Sequence, residues 1–224
     1  MERGMCSMKP DLDIEKLKTE AKRFSEMESE HDEPSLFGVT DGKAVGTYLE
    51  HKFQSGLLSK YNVEIGSSAK GIDFPDLGID IKVTSIKQPQ SSCPYKSAKQ
   101  KICGLGYSLL IFVYNKADDI ENKTSNLNIL HTIFVDADHT ADFQTTTGII
   151  KILENDGNTD DLMAFFEERM LPVDEIQARK LAEEIFRNKP KIGYLTISNA
   201  LQWRLQYNRV IEEAGYVEGV HRIK

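Results

Sequence analysis

A mixed α/β fold, with a central β-sheet flanked by helices, is what this sequence predicts, and three features predict it. Leu12, Ile14, Leu17, Ala21, Phe24 and Met27 recur at helical spacing, as do Val45, Leu49, Phe53 and Leu57, so two amphipathic helices lead the chain. Ile79, Ile81 and Val83 alternate with Asp80, Lys82 and Thr84, the period of a strand with one apolar and one polar face. Tyr107 to Tyr114 is an almost unbroken apolar run, as expected of a strand buried on both sides.

In chain order, the first helix covers residues 12–29. The acidic stretch from Glu28 to Asp41 contains Pro34 and Gly38 and reads as a loop; a second helix follows from about Lys43 to Leu58. Strands are expected at 62–66, 71–74 and 78–86, then a basic helix from Tyr95 to Cys103, the buried strand at 107–114 and another strand from Ile129 to Asp136. Helices at 160–170 and 173–188 are parted by Pro172. The tail reads as a short strand at 192–197, a helix from Asn199 to Ala214 and a strand from Tyr216 to Ile223. At 224 residues the whole chain suits a single domain, with a core at about 40–140 and a C-terminal helix–strand region at 190–224.

Composition narrows the possible functions. Cys6, Cys93 and Cys103 are odd in number and lack C-x-x-C spacing, which argues against a disulfide framework and a structural zinc site. His31, His51, His131, His139 and His221 are scattered, which argues against a zinc hydrolase, and Gly104-Leu105-Gly106-Tyr107 lacks the third glycine and following helix of a nucleotide-binding turn. The N-terminus has no apolar core after its charges, and the longest apolar run, Leu109 to Val113, is too short to cross a bilayer; a soluble, cytoplasmic protein is expected.

The net charge of -7 conceals strong segregation. From Ile81 to Lys116 there are six basic residues and no acid, whereas Ala117 to Phe186 carries 16 acids against five bases. A second acid-free stretch, Arg187 to Ile211, holds five bases with Trp203 and Tyr207 interleaved. Two basic surfaces on an acidic chain suit contacts to phosphates.

The residues that carry chemistry lie between Asp73 and Lys82. Hydrolysis of a phosphodiester needs a hard divalent cation held by oxygen ligands, with water activated beside the phosphate. Asp80 and Lys82 project from one face of the expected strand. Asp73 lies seven residues before Asp80, and Pro75 with Gly78 marks a turn that returns its carboxylate to the same place.

Lys43-Ala44-Val45-Gly46-Thr47-Tyr48-Leu49-Glu50, followed by Asp73-Phe74-Pro75-Asp76-Leu77-Gly78-Ile79-Asp80-Ile81-Lys82, resembles the MutH-like branch of the PD-(D/E)xK nuclease superfamily. The resemblance implies a restriction-endonuclease-like fold and Mg²⁺ as cofactor. It implies that Asp73 and Asp80 bind the metal, that Lys82 positions or polarises the attacking water, that Glu50 is an auxiliary metal-binding acid, and that Lys43 supports the site or a phosphate. The chain departs from the repair members at Asp80, where they carry Glu, and at Ser198 and Asn199, where an Arg-Pro type of sequence is expected, so a recognition sequence does not carry over.

The amide-rich loop and lysine helix after the catalytic strand are more similar to a type II restriction endonuclease than to a repair nickase. Candidate DNA contacts are Lys87, Ser91, Ser92, Tyr95, Lys96, Lys99 and Lys101 there, and Arg204, Gln206, Asn208 and Arg209 in the tail. The leading reading is a Mg²⁺-dependent, sequence-specific endonuclease on double-stranded DNA, a homodimer without organic cofactor, because cutting a palindrome takes two active sites. A strand-specific mismatch-repair nickase and a non-catalytic DNA-binding module stay open as alternatives.

Overall fold

A computed structural model describes residues 9–66, 71–197 and 204–224. In chain order its elements are α1 (Ile14–Ser29), β1 (Asp32–Glu33), α2 (Gly42–Lys60), β2 (Ile79–Ser85), β3 (Gln90–Ser92), α3 (Ala98–Cys103), β4 (Ser108–Asp119) and β5 (Thr124–Val135). They continue with α4 (Phe143–Glu154), α5 (Thr159–Glu168), α6 (Glu175–Arg187), β6 (Arg204–Gln206), α7 (Asn208–Glu213) and β7 (Val220–Arg222).

The main sheet runs β1-β5-β4-β2, with β7 also paired to β5. β2 lies parallel to β4, while β4, β1 and β7 run antiparallel to β5, so the sheet is mixed and β2 is its edge. Its alternating side chains divide between two cores. Ile79, Ile81, Leu110 and Phe112 pack under α1 and α2, where Phe24, Phe53 and Phe112 meet at centroid separations of 5.1–5.6 Å. Leu109, Ile111, Val113 and Ile133 face the C-terminal segment through Leu195, Leu205, Tyr207 and Val210. A third cluster joins α3 to α4, α5 and α6.

The fold class and the principal helices stand as the sequence predicts, and several boundaries move. The expected strands at 62–66 and 71–74 form only isolated bridges, Asp11 to Asn62 and Phe74 to Ile79, because their apolar residues fill the core while their backbones turn away from the sheet. The β4–β5 hairpin extends past its apolar part, pairing Asn115 with Asn128 and Asp119 with Thr124, where polar residues give no hydrophobic period. The helix α4 has three consecutive threonines and a glycine, poor helix formers; it starts from Asp142, whose buried carboxylate accepts the Thr145 N–H at 3.0 Å. In the tail, the expected strand at 192–197 makes single bridges at Leu195 and Thr196. The expected helix at 199–214 is instead the strand β6 and the short α7; residues 199–203, Trp203 included, lie outside the described residues.

A polar network ties β1 to the two leading helices. Tyr48 donates to Glu33 at 2.8 Å, and Lys52 donates to Tyr48 at 2.6 Å while pairing at 2.8 Å with the buried Glu28. The hydroxyl and N–H of Ser35, together with Tyr48, hold the Glu33 carboxyl down to about 2. A depressed carboxylate stabilises the fold above its unfolded pKa and loses that contribution as the pH falls through its folded value. Glu33→Gln is therefore expected to lower stability to urea at pH 7, with the difference from wild type closing as the pH falls from about 4.5 toward 2; a constant difference across that range contradicts the assignment.

Candidate active site

The site is built on the free edge of the sheet. Phe74, fully buried, anchors a turn in which its N–H donates to the Ile79 carbonyl at 2.9 Å and its carbonyl accepts in return from the Ile79 N–H at 3.2 Å. Pro75–Leu77 form one 3-10 turn between them, and Gly78 closes it at φ 61, a left-handed conformation that favours glycine. The turn sets Asp73 beside Asp80. On an edge strand one row of N–H groups lacks a strand partner, and Asp73 supplies one: its Oδ2 accepts the Ile81 N–H at 2.6 Å. Its Oδ1 accepts from Gln54 of α2 at 3.2 Å.

Asp80 is 5% exposed, and its Oδ2 lies 2.5 Å from the Lys82 Nζ. Together with Glu50, His51 and Gln54 of α2, these residues line a cleft of about 330 Å³. Burial pushes the Asp80 carboxyl up to about 6; the Lys82 charge pulls it down and Asp73 pushes it up again. Burial also raises Asp73, against hydrogen bonds with Asp80 and the Ile81 N–H, and the charge of Glu50 adds to the rise. The Tyr107 phenol, pushed up to about 12 by burial and then by the charges of Asp80 and Asp73, belongs to the same surroundings.

Two carboxylates driven together in a partly dry cleft are destabilised unless a cation joins them. Among the described residues no trio of His, Cys, Asp or Glu closes into a ready-made metal cage. Asp73 and Asp80 could supply oxygen donors to a cation, with Glu50 lining the same cleft from α2. This fits Mg²⁺, which is commonly held by one or two carboxylates and completed by water and substrate phosphate.

A second, larger cleft of about 1030 Å³ continues along the same α2–β2 seam. Lys43, Lys87, Ser91, Ser92 and Arg204 line it. Lys43 thus lies away from the acids, where it suits a phosphate. Gln206 stands opposite Gln90 in the β3–β6 pair, and Asn208 is exposed at the start of α7. The other expected DNA contacts have structural partners or positions. Tyr95 donates to the Thr140 carbonyl, Lys99 pairs with Glu184 of α6, Lys101 is 3% exposed, and the Arg209 guanidinium stacks on Phe143 at 3.7 Å. Lys96 is exposed, and its N–H donates to Gln100.

Sequence reasoning passed over Gln54, Thr84, Gln90 and Tyr107. Thr84 was open to detection, since it shares the polar face of Asp80 and Lys82 at period 2. Gln54 lies four residues after Glu50, one helical turn along the same face. Tyr107 meets the acids only through the pairing of β4 with β2, which no local pattern announces.

The fold and site together define a class: an α/β protein of restriction-endonuclease-like architecture with a carboxylate pair and a lysine at the edge of its sheet. Comparison with known proteins identifies the family. The sequence model described as Type II restriction enzyme NspV matches residues 11–222, nearly the whole chain. The chain is also 65% identical over 209 residues to the type II restriction enzyme NspV of Nostoc sp., covering 93% of this chain and 95% of the relative. It therefore belongs to the NspV family of type II restriction enzymes. No solved structure matches it.

The electrostatics give a direct expectation. Ionised Asp80 costs the fold stability that the unfolded chain does not lose, so in chelator Asp80→Asn is expected to raise the thermal midpoint at pH 7.5 by several degrees, on the order of 2–3 kcal/mol. The gain should vanish near pH 4, below the range in which this group ionises, and Mg²⁺ should stabilise only the wild type. A lower midpoint for the variant at pH 7.5 contradicts the account.

Proposed function

We propose that this chain is a type II restriction endonuclease that hydrolyses both strands of DNA within a specific sequence, using Mg²⁺ and acting as a homodimer. The observation that carries the mechanism is the convergence of Asp73, Asp80 and Lys82 in one cleft at the sheet edge, 2.5 Å separating Lys82 from Asp80. Asp73 and Asp80 would hold the ion, and Glu50 would add a ligand through water or orient one. The bound ion would supply Lewis acidity to the scissile phosphate and lower the pKa of the attacking water.

The remaining steps belong to the protein. Lys82, held beside Asp80, presents its ammonium to the attacking water and to the phosphate oxygen that gains charge. Gln54 and the Ile81 N–H fix Asp73, so the acid does not swing with substrate. Lys43 and Lys87 in the neighbouring cleft take backbone phosphates to one side of the cut. Family membership favours double-strand cleavage over the repair nickase and the binding module, and cutting both strands, which takes two active sites, favours a homodimer.

The test is cleavage of unmethylated plasmid. Discrete fragments are expected with Mg²⁺ and none with excess chelator. Asp73→Ala, Asp80→Ala and Lys82→Ala should each reduce cleavage at least a thousandfold while DNA retention in a gel remains within severalfold; Lys43→Ala should weaken binding more than it slows cutting. Near-wild-type cleavage by Lys82→Ala or Asp80→Ala removes the site assignment, and nicked circles as the final product would replace the restriction reading by a nickase.

A further inference from the structure

The short ribbon β3–β6 lines the larger cleft, and its two faces differ in chemistry. The register pairs Gln90 with Gln206, Ser91 with Leu205, and Ser92 with Arg204. Side chains alternate along a strand, so Gln90, Ser92, Arg204 and Gln206 share one face. Ser91 and Leu205 share the other, where Leu205 is fully buried and the Ser91 hydroxyl meets the buried Tyr207 hydroxyl at 2.6 Å. The inward face is therefore anchored in the core, and the outward face carries two amides and a guanidinium.

We propose that this outward face reads bases in the major groove: Gln90 and Gln206 take adenine edges and Arg204 a guanine edge. This inference rests on the reading of the protein as a sequence-specific endonuclease and deepens it. Three observations support it independently of one another.

The first is shape and chemistry. The major groove of B-DNA, about 12 Å wide, admits a two-stranded β-ribbon; an amide forms a bidentate pair with adenine N6 and N7, and arginine does so with guanine O6 and N7. The second is charge. Gln90, Ser92 and Arg204 line the larger cleft with Lys43 and Lys87. Two acids on its wall are already occupied, Asp41 in capping α2 and Asp118 in pairing with Lys116, so the cleft presents cations to a polyanion.

The third is placement. Thr84 projects from the same face of β2 as Asp80 and Lys82. Its hydroxyl accepts the Gln90 N–H at 2.9 Å and lies 3.2 Å from the Gln90 carbonyl. The ribbon is thus clamped to the catalytic strand. Thr84 lies two residues beyond Lys82 and four beyond Asp80, about 7 and 13 Å along a strand. With about 3.4 Å per nucleotide along one strand of DNA, the bases it reads fall within about four steps of the cut, so cleavage occurs within or beside the recognised sequence.

The experiment starts from the wild-type protein with Mg²⁺ and plasmid DNA, with fragment ends sequenced to give the target and cut position. Single-turnover cleavage is then measured on duplexes carrying each base pair replaced in turn, for wild type, Arg204→Ala, Arg204→Lys, Gln90→Ala, Gln206→Ala and Lys87→Ala. Each ribbon alanine variant is expected to lose about 5- to 150-fold on the target. Each should also become indifferent to one base pair, G·C for Arg204 and A·T for the glutamines. Arg204→Lys keeps the charge but lacks the planar fork, so it should lose the same discrimination and still bind unrelated DNA.

Lys87→Ala should weaken all duplexes alike. Replacing the contacted guanine by 7-deazaguanine should cost the wild type severalfold and Arg204→Ala nothing further. Ribbon variants that keep wild-type discrimination at every position, or that lose activity uniformly across sequences as Lys87→Ala does, overturn this inference while leaving the nuclease reading intact. A wild type that cuts no DNA overturns both.

Discussion

The hydrogen bond from the Ile81 N–H to Asp73 is the constraint on which the site depends. β2 ends the sheet, and an edge strand must either satisfy its outward N–H groups or leave them open to solvent and to other chains. Here one of them is satisfied by a carboxylate, at 2.6 Å. The same bond that closes the sheet edge places the first acid beside Asp80, and the turn at Pro75–Leu77 with Gly78 in the left-handed region leaves the chain little freedom to place it elsewhere. Structure and chemistry share one interaction, so the acid pair cannot be loosened without opening the sheet.

That sharing explains the electrostatic state of the site. A protein selected for stability alone would not bury two carboxylates against each other with Glu50 nearby. Desolvation raises both carboxyls, with Glu50 adding to the rise at Asp73 and Asp73 to the rise at Asp80, a cost that a bound cation would relieve. Lys82 offsets part of the repulsion meanwhile. The strand then carries this arrangement onward: Asp80, Lys82 and Thr84 follow one another on a single face, the first two serving the cleft with the acids and the third holding the ribbon that lines the larger cleft.

How much of this the sequence showed depended on how local the signal was. The α2 stripe of Val45, Leu49 and Phe53, the alternation along β2 and the return of Asp73 through a Pro-Gly turn are all written within a few residues, and the fold class and the company of Asp73, Asp80 and Lys82 followed from them. Lys101 shows where composition misleads: a lysine in an acid-free stretch reads as a DNA contact, yet its side chain is buried beside α4, and burial is decided by elements far along the chain. Arg204 and Gln206 read from sequence as DNA contacts on a helix, yet they are extended, because their conformation comes from pairing with Ser92 and Gln90, a long-range register with no sequence period. Lys43 shared a helix with Glu50 but not a cleft, being two turns away along it.

The most direct test of the central claim is a calorimetric titration of Mn²⁺ into the protein bound to its target duplex, for wild type, Asp73→Asn and Asp80→Asn. The account predicts a saturable site in the wild type that both variants lose while still holding the duplex. Equal Mn²⁺ binding by wild type and Asp73→Asn would show that the acid on the sheet edge serves the fold alone, and the cation site would have to be sought elsewhere.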